Sequence, residues 1–445
     1  MSQEKLLSPS PTISFADVAH QTLLFDLEDS SAKLVLELID TAWVQRLRRI
    51  RQTGNTHLVY MFAEHSRFGH SLGVAYLSLL LMKKLERFSA EQIAPFRDAV
   101  AAAALLHDIG HTAPGSHLAA RIWSAAGKDE HESISARVIA EDDEISAILD
   151  ARDPGLKELV LAVLTEHEQV PPWTHSIISG GGWNADRGNW TIVDSAMCSV
   201  SYGRYNVAAL IDAFRLSNDG KLILLESRLD AFSHFFVARD SMYRQVYLHR
   251  VMQGADILAR NIARRVRDIA SSGDGDPLDA LAEHGVFCDE TLKELLLCNS
   301  YSTELPLQHL FRMTEEWWGY HLSRWVSCDD QILRDLAARL RDRRLFKTVR
   351  LIDDPERDQT LIRQAKSAAE ELGFDPTYYV GIISEPAISE DAESENMPAV
   401  LRDDGTLVPI EKIEPLVRAL GKRGGGARSW LVVPKKVKEK LGRSR

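Results

Sequence analysis

Long apolar segments separated by glycine and proline run through most of this chain. Residues 99–106 form an apolar run without glycine or proline, and a second apolar segment covers residues 72–85. Together with their flanks, such segments are typical of buried helices. Gly110, Pro114 and Gly115 follow the first run closely, so we predict that this helix ends just before them.

Helical periodicity continues to about residue 350, with loops predicted at residues 180–182 and 271–277. After residue 346, short β-branched and aromatic runs alternate with helical segments. We predict strands at residues 347–352, 378–383 and 429–433, and helices at residues 358–372 and 410–420. The predicted fold is mainly α, with an all-helical body over residues 1–345 and a smaller C-terminal α+β lobe over residues 346–445.

Composition narrows the class of protein. The 445 residues are 45% hydrophobic, which is enough for a sizeable core, and no window approaches 18 uninterrupted apolar residues. The first residues lack the pattern of a signal peptide, so we expect a cytoplasmic protein without a membrane partner. Four cysteines without Cys-x-x-Cys spacing make disulfides and structural zinc unexpected.

Charge is unevenly distributed along the chain. The net charge of -11 argues against general binding to polyanions, including nucleic acid. Residues 43–50 nevertheless form a basic amphipathic segment, whose arginines either face solvent or bind phosphate. Residues 1–12 are predicted to be a mobile lead-in, residues 384–396 a mobile acidic loop, and residues 435–445 a solvated basic tail.

The pair His107-Asp108 ends the first predicted buried helix. An imidazole and a carboxylate are costly to bury unless a partner such as a metal ion compensates them. His70 begins the second apolar segment, and Asp186 follows a glycine-rich turn. Each residue alone is more often structural, but the four together form a His…His-Asp…Asp set suited to a metal ion.

Four longer motifs carry a family resemblance. Residues 65–74 (HSRFGHSLGV), 106–111 (LHDIGH), 185–195 (ADRGNWTIVDS) and 239–249 (RDSMYRQVYLH) resemble motifs of the HD-domain deoxynucleoside triphosphate triphosphohydrolases. That family includes bacterial dGTPase and the animal SAM-and-HD-domain enzyme. The resemblance extends from about residue 15 to residue 434, and the C-terminal part is similar to the bacterial branch.

The resemblance implies an HD-domain phosphohydrolase that cleaves a deoxynucleoside triphosphate into deoxynucleoside and triphosphate. The implied ligands of one divalent ion are His70, His107, Asp108 and Asp186. The implied catalytic residues are His111, His117 and His131. The implied substrate contacts are Gln52, Arg67, Trp190, Asp194, Arg239 and Tyr247. The resemblance further implies a homo-oligomer. Separately, the residues Lys347 and Arg350 form a weak pattern for a nucleotide-dependent assembly site.

This chemistry suits the residue types. Hydrolysis of a phosphate ester needs neutralised phosphoryl charge, an oriented water and a proton for the leaving oxygen. Two imidazoles and two carboxylates suit Mn, Fe, Co, Ni or Zn and also admit Mg. Histidines beside such an ion either exchange protons near neutral pH or only orient the ligands.

Several positions depart from the family pattern, including Gly181, Gly182 and Trp183 before the Asp ligand and one extra residue between His111 and His117. Ala120 replaces an acidic partner of His131, for which Asp129, Glu130 and Glu132 are candidate substitutes. Asn189 and Trp190 stand where the family has Asp and Tyr, which suggests an altered substrate pocket. Two alternatives therefore stay open: a phosphohydrolase for another nucleotide, and a catalytically silent sensor of nucleotides or nucleic acid.

Overall fold

The computed structural model describes residues 11–124, 130–272, 276–384, 397–421 and 429–443. The helices of the first half are α1 (Ser30–Ile39), α2 (Ala42–Arg46), α3 (Arg67–Ile93), α4 (Arg97–Leu106), α5 (Leu118–Trp123), α6 (His131–Glu141), α7 (Asp143–Arg152), α8 (Leu156–Leu164), α9 (Pro172–Ser179), α10 (Ala185–Met197) and α11 (Val207–Ala213). The later ones are α12 (Leu229–Met242), α13 (Arg250–Ala270), α14 (Pro277–Glu283), α15 (Glu290–Leu297), α16 (Leu307–Arg312), α17 (Glu315–Trp325), α18 (Gln331–Arg341), α19 (Pro355–Glu371), α20 (Pro376–Tyr379), α21 (Ile410–Ile413), α22 (Pro415–Gly421) and α23 (Lys435–Arg443).

Short helical turns and strands complete the described residues. The 3-10 turns are Leu47–Arg49, Gly54–Leu58, Ala94–Phe96 and Glu226–Arg228, and a π-helical turn covers Tyr243–Tyr247. The strands are β1 (Thr12–Asp17), β2 (Gln21–Asp26), β3 (Phe214–Leu216), β4 (Leu222–Leu225), β5 (Lys347–Arg350), β6 (Gly381–Ser384), β7 (Ala399–Leu401), β8 (Leu407–Pro409) and β9 (Ser429–Val433). Helices dominate, which confirms the prediction of a mainly α fold. In the described ranges, no helix has both the length and the apolar character needed to cross a bilayer.

Helix α4 is the centre of the core, as predicted for residues 99–106. Every residue of that stretch is at most 1% exposed, and α4 packs against α1, α3 and α8. Alanines occupy residues 101–104, and their short side chains let these neighbours approach closely. The helix ends at Leu106, so the next two residues project from its buried end toward α3 and α10.

The body is not all-helical, which corrects the prediction for residues 1–345. Strands β1 and β2 pair antiparallel near the start of the described chain, and β3 and β4 form a second hairpin. The strands of these hairpins have at most six residues, so their alternation is easily hidden between helical segments. Strand β4 also pairs in parallel with β7, so both sides of the predicted boundary at residue 345 share one sheet. The boundary itself stays a prediction.

Beyond residue 346, β5, β9 and β6 form an antiparallel sheet with β9 in the middle. This confirms strands within 347–352 and 429–433. The strand predicted at 378–383 begins only at Gly381, because Pro376 starts α20 and the Asp375 side chain caps it at the backbone N–H of Thr377.

The basic C-terminal segment is a docked helix rather than a solvated tail. Val437 and Leu441 of α23 are buried against α19 and the sheet, while the lysines between them face outward. The two apolar residues are four positions apart, which places them on one helical face. The lead-in up to residue 10, residues 385–396 of the acidic loop and residues 444–445 lie outside the described residues.

Candidate metal centre and adjoining cavity

Three helix ends meet at the predicted metal site. His70 lies in the first turn of α3, and Asp186 lies in the first turn of α10. His107 and Asp108 follow directly after α4. The Nε2 atom of His70 is 3.0 Å from Oδ1 of Asp186 and 3.5 Å from Oδ2 of Asp108. The Nε2 atom of His107 is 3.4 Å from Oδ1 of Asp108 and 3.9 Å from Oδ1 of Asp186.

A hydrogen bond at the opposite nitrogen holds each of these imidazoles. The Nδ1 atom of His70 lies 3.0 Å from the amide oxygen of Asn189, and Nδ1 of His107 lies 2.9 Å from the carbonyl oxygen of Ala104. Because both partners are acceptors, each Nδ1 carries the proton and each Nε2 presents a lone pair. Both Nε2 atoms are buried without a hydrogen-bond partner.

These residues fit a divalent metal ion. Nε2 of His70 faces a carboxylate oxygen of Asp186 at 3.0 Å, a spacing that either a proton on Nε2 or a metal ion bound to both atoms satisfies. Burial raises the pKa of Asp108, but Arg67, His107 and His111 outweigh this effect and hold that pKa well below its usual range. The carboxylate therefore stays ionised, and two imidazole nitrogens with two carboxylates form a mixed N/O donor set typical of transition metals.

Asn189 lies behind His70, which corrects the expectation that this residue alters the substrate pocket. Its side chain is fully buried and lines neither of the two cavities next to the metal site. Gly73 makes the contact with α10 possible, because a Cβ atom there would lie 2.1 Å from Nδ2 of Asn189. The Asn189 amide nitrogen is also 3.4 Å from Nε2 of His20, in the turn between β1 and β2.

A second group of histidines lies on the other side of Asp108. The rings of His111 and His131 stack with centroids 3.9 Å apart and planes 15° apart. Their Nε2 atoms are 3.3 Å and 3.7 Å from Oδ1 of Asp108. Burial, with Arg67 and His131 nearby, lowers the pKa of His111 well below its usual range. The His117 ring lies 6.3 Å from both of the other two rings.

Residue 120 leaves this histidine group without the acidic residue that the family motif has there. Ala120 is a buried apolar residue of α5. Of the candidate substitutes, Asp129 lies outside the described residues and Glu130 accepts a hydrogen bond from the Ser124 hydroxyl at 3.3 Å. Of the two described candidates, Glu132 is the one that lines the same cavity as His131.

Two adjoining cavities surround the site. The metal chamber has a volume of about 240 Å³ and is lined by Gln52, Arg67, His107, Asp108, His111, His117, His131, Glu132, Ser135, Leu164, His175, Ile178, Ser179, Asp186 and Trp190. The large cavity has a volume of about 440 Å³, within the range of small-molecule sites, and is lined by residues 52–56, Arg67, residues 116–118, Arg121, Trp190, Asp194, Arg239, Tyr243, Tyr247, Leu248, Met252, Gln253 and Asp256. Both cavities share Gln52, Arg67, His117 and Trp190.

Every residue predicted to contact substrate lines the large cavity. Its polar wall includes Asp194, which accepts hydrogen bonds from the Tyr247 hydroxyl at 2.5 Å and from Nε2 of His65 at 2.8 Å. Burial and Asp194 raise the pKa of Tyr247 well above its usual value, so its hydroxyl keeps the proton. Each carboxylate oxygen of Asp194 has a further lone pair available for a ligand.

Aromatic side chains form another wall. The Trp190 ring lies 5.3 Å from the Tyr247 ring and 5.7 Å from the Tyr243 ring, centroid to centroid. The guanidinium of Arg239 lies over the Tyr243 ring at 5.1 Å. Arg67 pairs with Asp108 at the junction of the two cavities. The cavity therefore combines flat apolar surfaces with three arginines, Arg67, Arg121 and Arg239, a combination that suits a base, a sugar and phosphates.

Arg46 neither faces solvent nor lines either cavity, which corrects both readings of the basic segment for this residue. It is 1% exposed and donates hydrogen bonds to the carbonyl oxygens of His111, Leu310 and Phe311 at 2.8 Å and of Met313 at 3.2 Å. Burial lowers its pKa to about 9. Arg46 therefore ties the histidine motif to the C-terminal end of α16.

Two residues singled out from the sequence lie outside the cavities, and three residues that were not predicted line the large cavity. Lys347 and Arg350 lie on β5 and line neither cavity. Sequence reasoning missed Asn55, Tyr243 and Asp256, all of which line the large cavity. Tyr243 lies inside the family motif at residues 239–249, so the sequence did contain a signal that could have identified it. Asp256 carries no local signal, because its contact is with a residue 201 positions away.

The buried helix α4 is followed directly by His107-Asp108, and the fold brings His70 and Asp186 beside this pair. Such a candidate metal site in a helical body indicates a class of helical metalloproteins. Residues 67–180 match the HD domain family model. This part of the chain therefore carries an HD domain, as the motifs predicted, and the matched residues contain three of the four candidate ligands.

Other proteins are similar to this chain over longer or shorter stretches. An uncharacterized Bacillus subtilis protein, YwfO, is 29% identical over 401 residues, which are 88% of this chain and 86% of that protein. The deoxynucleoside triphosphate triphosphohydrolase SAMHD1 of Danio rerio is 46% identical over 87 residues, only 19% of this chain and 14% of that protein. A crystal structure of a phosphohydrolase from Bacteroides thetaiotaomicron superposes with a TM-score of 0.76 at 22% identity, covering 96% of this chain and 100% of that one. This last similarity establishes the shared fold.

Proposed function

We propose that this HD-domain protein is a metal-dependent phosphohydrolase that cleaves deoxynucleoside triphosphates into deoxynucleoside and triphosphate. One observation carries the proposal: the metal chamber joins a larger, aromatic-lined cavity through Gln52, Arg67, His117 and Trp190. A nucleotide placed across this junction has its phosphates near the metal ligands and its nucleoside in the large cavity.

The charges of the two cavities support this orientation. Arg67 and Arg239 present guanidinium groups suited to phosphate oxygens. The Asp194 carboxylate, held by Tyr247 and His65, offers acceptor positions for a sugar hydroxyl. Trp190 and Tyr247 provide flat surfaces for the sugar and base. The short but strong similarity to SAMHD1 supports a deoxynucleoside triphosphate as the substrate.

The reaction forms one bond and breaks one bond. A water oxygen bonds to the α-phosphorus while the bond from that phosphorus to O5′ breaks, and O5′ takes up a proton to become the 5′-hydroxyl. His117 lines both cavities, so we assign the proton transfer at O5′ to its imidazole. The stacked pair His111 and His131 lies beside Asp108, in a position to orient the attacking water and take its proton.

A bound divalent ion would act as a Lewis acid toward the phosphoryl oxygens. The chain's own contribution is to hold His70, His107, Asp108 and Asp186 in place and to neutralise the remaining charge with Arg67. The homo-oligomer that the resemblance implies stays a prediction, because no contact between copies enters this argument.

Product analysis tests the proposed function directly. Protein loaded separately with Mn²⁺, Mg²⁺, Fe²⁺, Co²⁺, Ni²⁺ or Zn²⁺ is incubated with each dNTP and each NTP, singly and as mixtures, and the products are separated by ion-exchange chromatography. We expect deoxynucleoside and triphosphate in equal amounts from dNTPs, and a loss of at least about 100-fold in His117→Ala, as for a general acid.

Two results would contradict the proposal. Release of monophosphate and pyrophosphate, or of orthophosphate, would place the cleaved bond elsewhere in the triphosphate. Nucleotide binding without turnover for every metal would instead support a silent sensor. His167→Ala serves as a matched control, because His167 is an exposed histidine that lines neither cavity.

A further inference from the structure

The large cavity extends beyond the metal chamber, and one end of it is lined by residues that the chamber does not share. The four shared residues mark the junction of the two cavities, whereas Asn55, Arg121, Gln253 and Asp256 line the large cavity alone. If the phosphates occupy the chamber side, the nucleobase is the part of a nucleotide that reaches toward these residues. The chemistry of this end therefore bears on which base is accepted.

Asp256 is an incompletely partnered carboxylate at this end. Oδ1 of Asp256 accepts a hydrogen bond from Nδ2 of Asn55 at 2.9 Å. Among the described residues, no other hydrogen bond or ion pair within 4 Å reaches this carboxylate, although Arg121 and Arg260 act on it over a longer distance. Burial outweighs these partners and raises the pKa of Asp256 to about 6. A half-buried, weakly compensated carboxylate that lines a cavity is typical of a ligand-binding position.

The partner of this carboxylate is held rigidly. Asn55 is buried, and it follows Gly54, whose φ of 55° lies in the left-handed region. A Cβ atom at Gly54 would lie 2.7 Å from the carbonyl oxygen of Gly115, so the turn packs tightly on the neighbouring loop. The Thr56 hydroxyl closes the same turn on the Thr53 carbonyl oxygen at 2.7 Å. Asn55 therefore orients Asp256 before any ligand arrives.

We propose, building on the proposed function, that Asp256 is a specificity-determining residue that reads the hydrogen-bonding edge of the nucleobase. Its carboxylate accepts a hydrogen bond from the exocyclic amino group of cytosine, adenine or guanine. At the position of the cytosine amino group, uracil and thymine present the O4 carbonyl oxygen, which the carboxylate repels and which leaves it without a donor at that position. The chain therefore prefers bases that carry an amino group.

The sharpest comparison is dCTP against dUTP, because the two differ only in the groups that the carboxylate would read. Dissociation constants of both are measured by calorimetry on metal-free protein in EDTA, where no turnover occurs. The values of kcat/KM are measured on the metal-loaded protein. The variant Asp256→Asn keeps the size of the side chain and an oxygen for Asn55, and it adds an amide donor.

We expect dCTP to bind the parent protein at least about tenfold more tightly than dUTP, the size of one good base contact. Asp256→Asn should reduce this ratio to about threefold or less, mainly by improving dUTP, since its amide donor suits the uracil oxygen. Asp268→Asn makes the same substitution on the same helix, outside both cavities, and should keep the ratio of the parent.

Equal affinity of the parent for dCTP and dUTP would overturn the inference, as would an unchanged ratio in Asp256→Asn. The measurements distinguish a failure of the proposed function from a failure of this inference. Hydrolysis to triphosphate without base preference rejects the inference alone, whereas base preference in binding without triphosphate release rejects the proposed function alone. Failure of both nucleotides to bind contradicts both.

Discussion

His70 and His107 each use one ring nitrogen to hold their orientation, which leaves the other nitrogen for a metal ion. For His107 the holding partner is a backbone carbonyl of its own helix, so no substitution can remove it. For His70 the partner is the side chain of Asn189, which reaches it only because residue 73 is glycine. The residue that the sequence marked as a change in the substrate pocket is therefore a positioning residue for a candidate ligand.

Asn189→Ala tests this role. The substitution removes the acceptor for Nδ1–H of His70, so the ring can change tautomer and orientation. We expect the metal affinity to fall by about 10- to 100-fold, the usual effect of losing such a partner. The affinity is measured by competition with a chelator of known strength.

Asn189→Asp is the matched control for this prediction. It keeps an oxygen at the same place and makes His70 a more basic ligand, so it should bind metal at least as tightly as the parent. Equal affinities in the parent and in Asn189→Ala would show that Asn189 does not position His70. A purely structural defect would instead lower stability in both variants.

The candidate metal ligands lie at positions where helices begin or end. Helix α4 ends at Leu106, and α3 and α10 begin next to that point, so residues distant in sequence become neighbours. Arg46 stabilises the segment that carries His111. It connects the carbonyl oxygen of His111 with those of residues 310, 311 and 313, at the C-terminal end of α16.

Arg46→Met is expected to destabilise the fold strongly. Methionine keeps much of the apolar stem but leaves buried carbonyl oxygens without donors, which costs roughly 2–5 kcal/mol in the free energy of unfolding. Urea denaturation measures this change. Arg49→Met, on the exposed side of the same segment, should change the free energy of unfolding by less than about 1 kcal/mol. Similar values for the two variants would contradict the role of Arg46.

Across the whole molecule, the sequence predicted those features that a short stretch of residues determines by itself. The buried helix at residues 99–106 has a local signal, and the ligand set follows from motifs that contain the ligands themselves. Strand β9 was found because its apolar run is continuous. The four predicted ligands lie close together, although their roles remain predictions until metal binding is measured.

Long-range contacts account for most of what the sequence did not predict. Strand β4 pairs with β7, which lies more than 170 residues later, and no local pattern encodes that partner. Asp256 belongs to the large cavity only because the fold brings Asn55 beside it. Helix α23 did have a local signal in Val437 and Leu441, but the surrounding lysines favoured the interpretation as a solvated tail.

Metal content is the most direct test of the central claim that His70, His107, Asp108 and Asp186 bind one ion. Mass spectrometry of the purified, metal-reconstituted protein gives the number of ions per chain. We expect about one ion per chain in the parent and in the exposed control Asp219→Ala, and a clear loss in Asp186→Ala, which lacks one of the four donors. Equal metal content in Asp186→Ala and the parent would contradict the account.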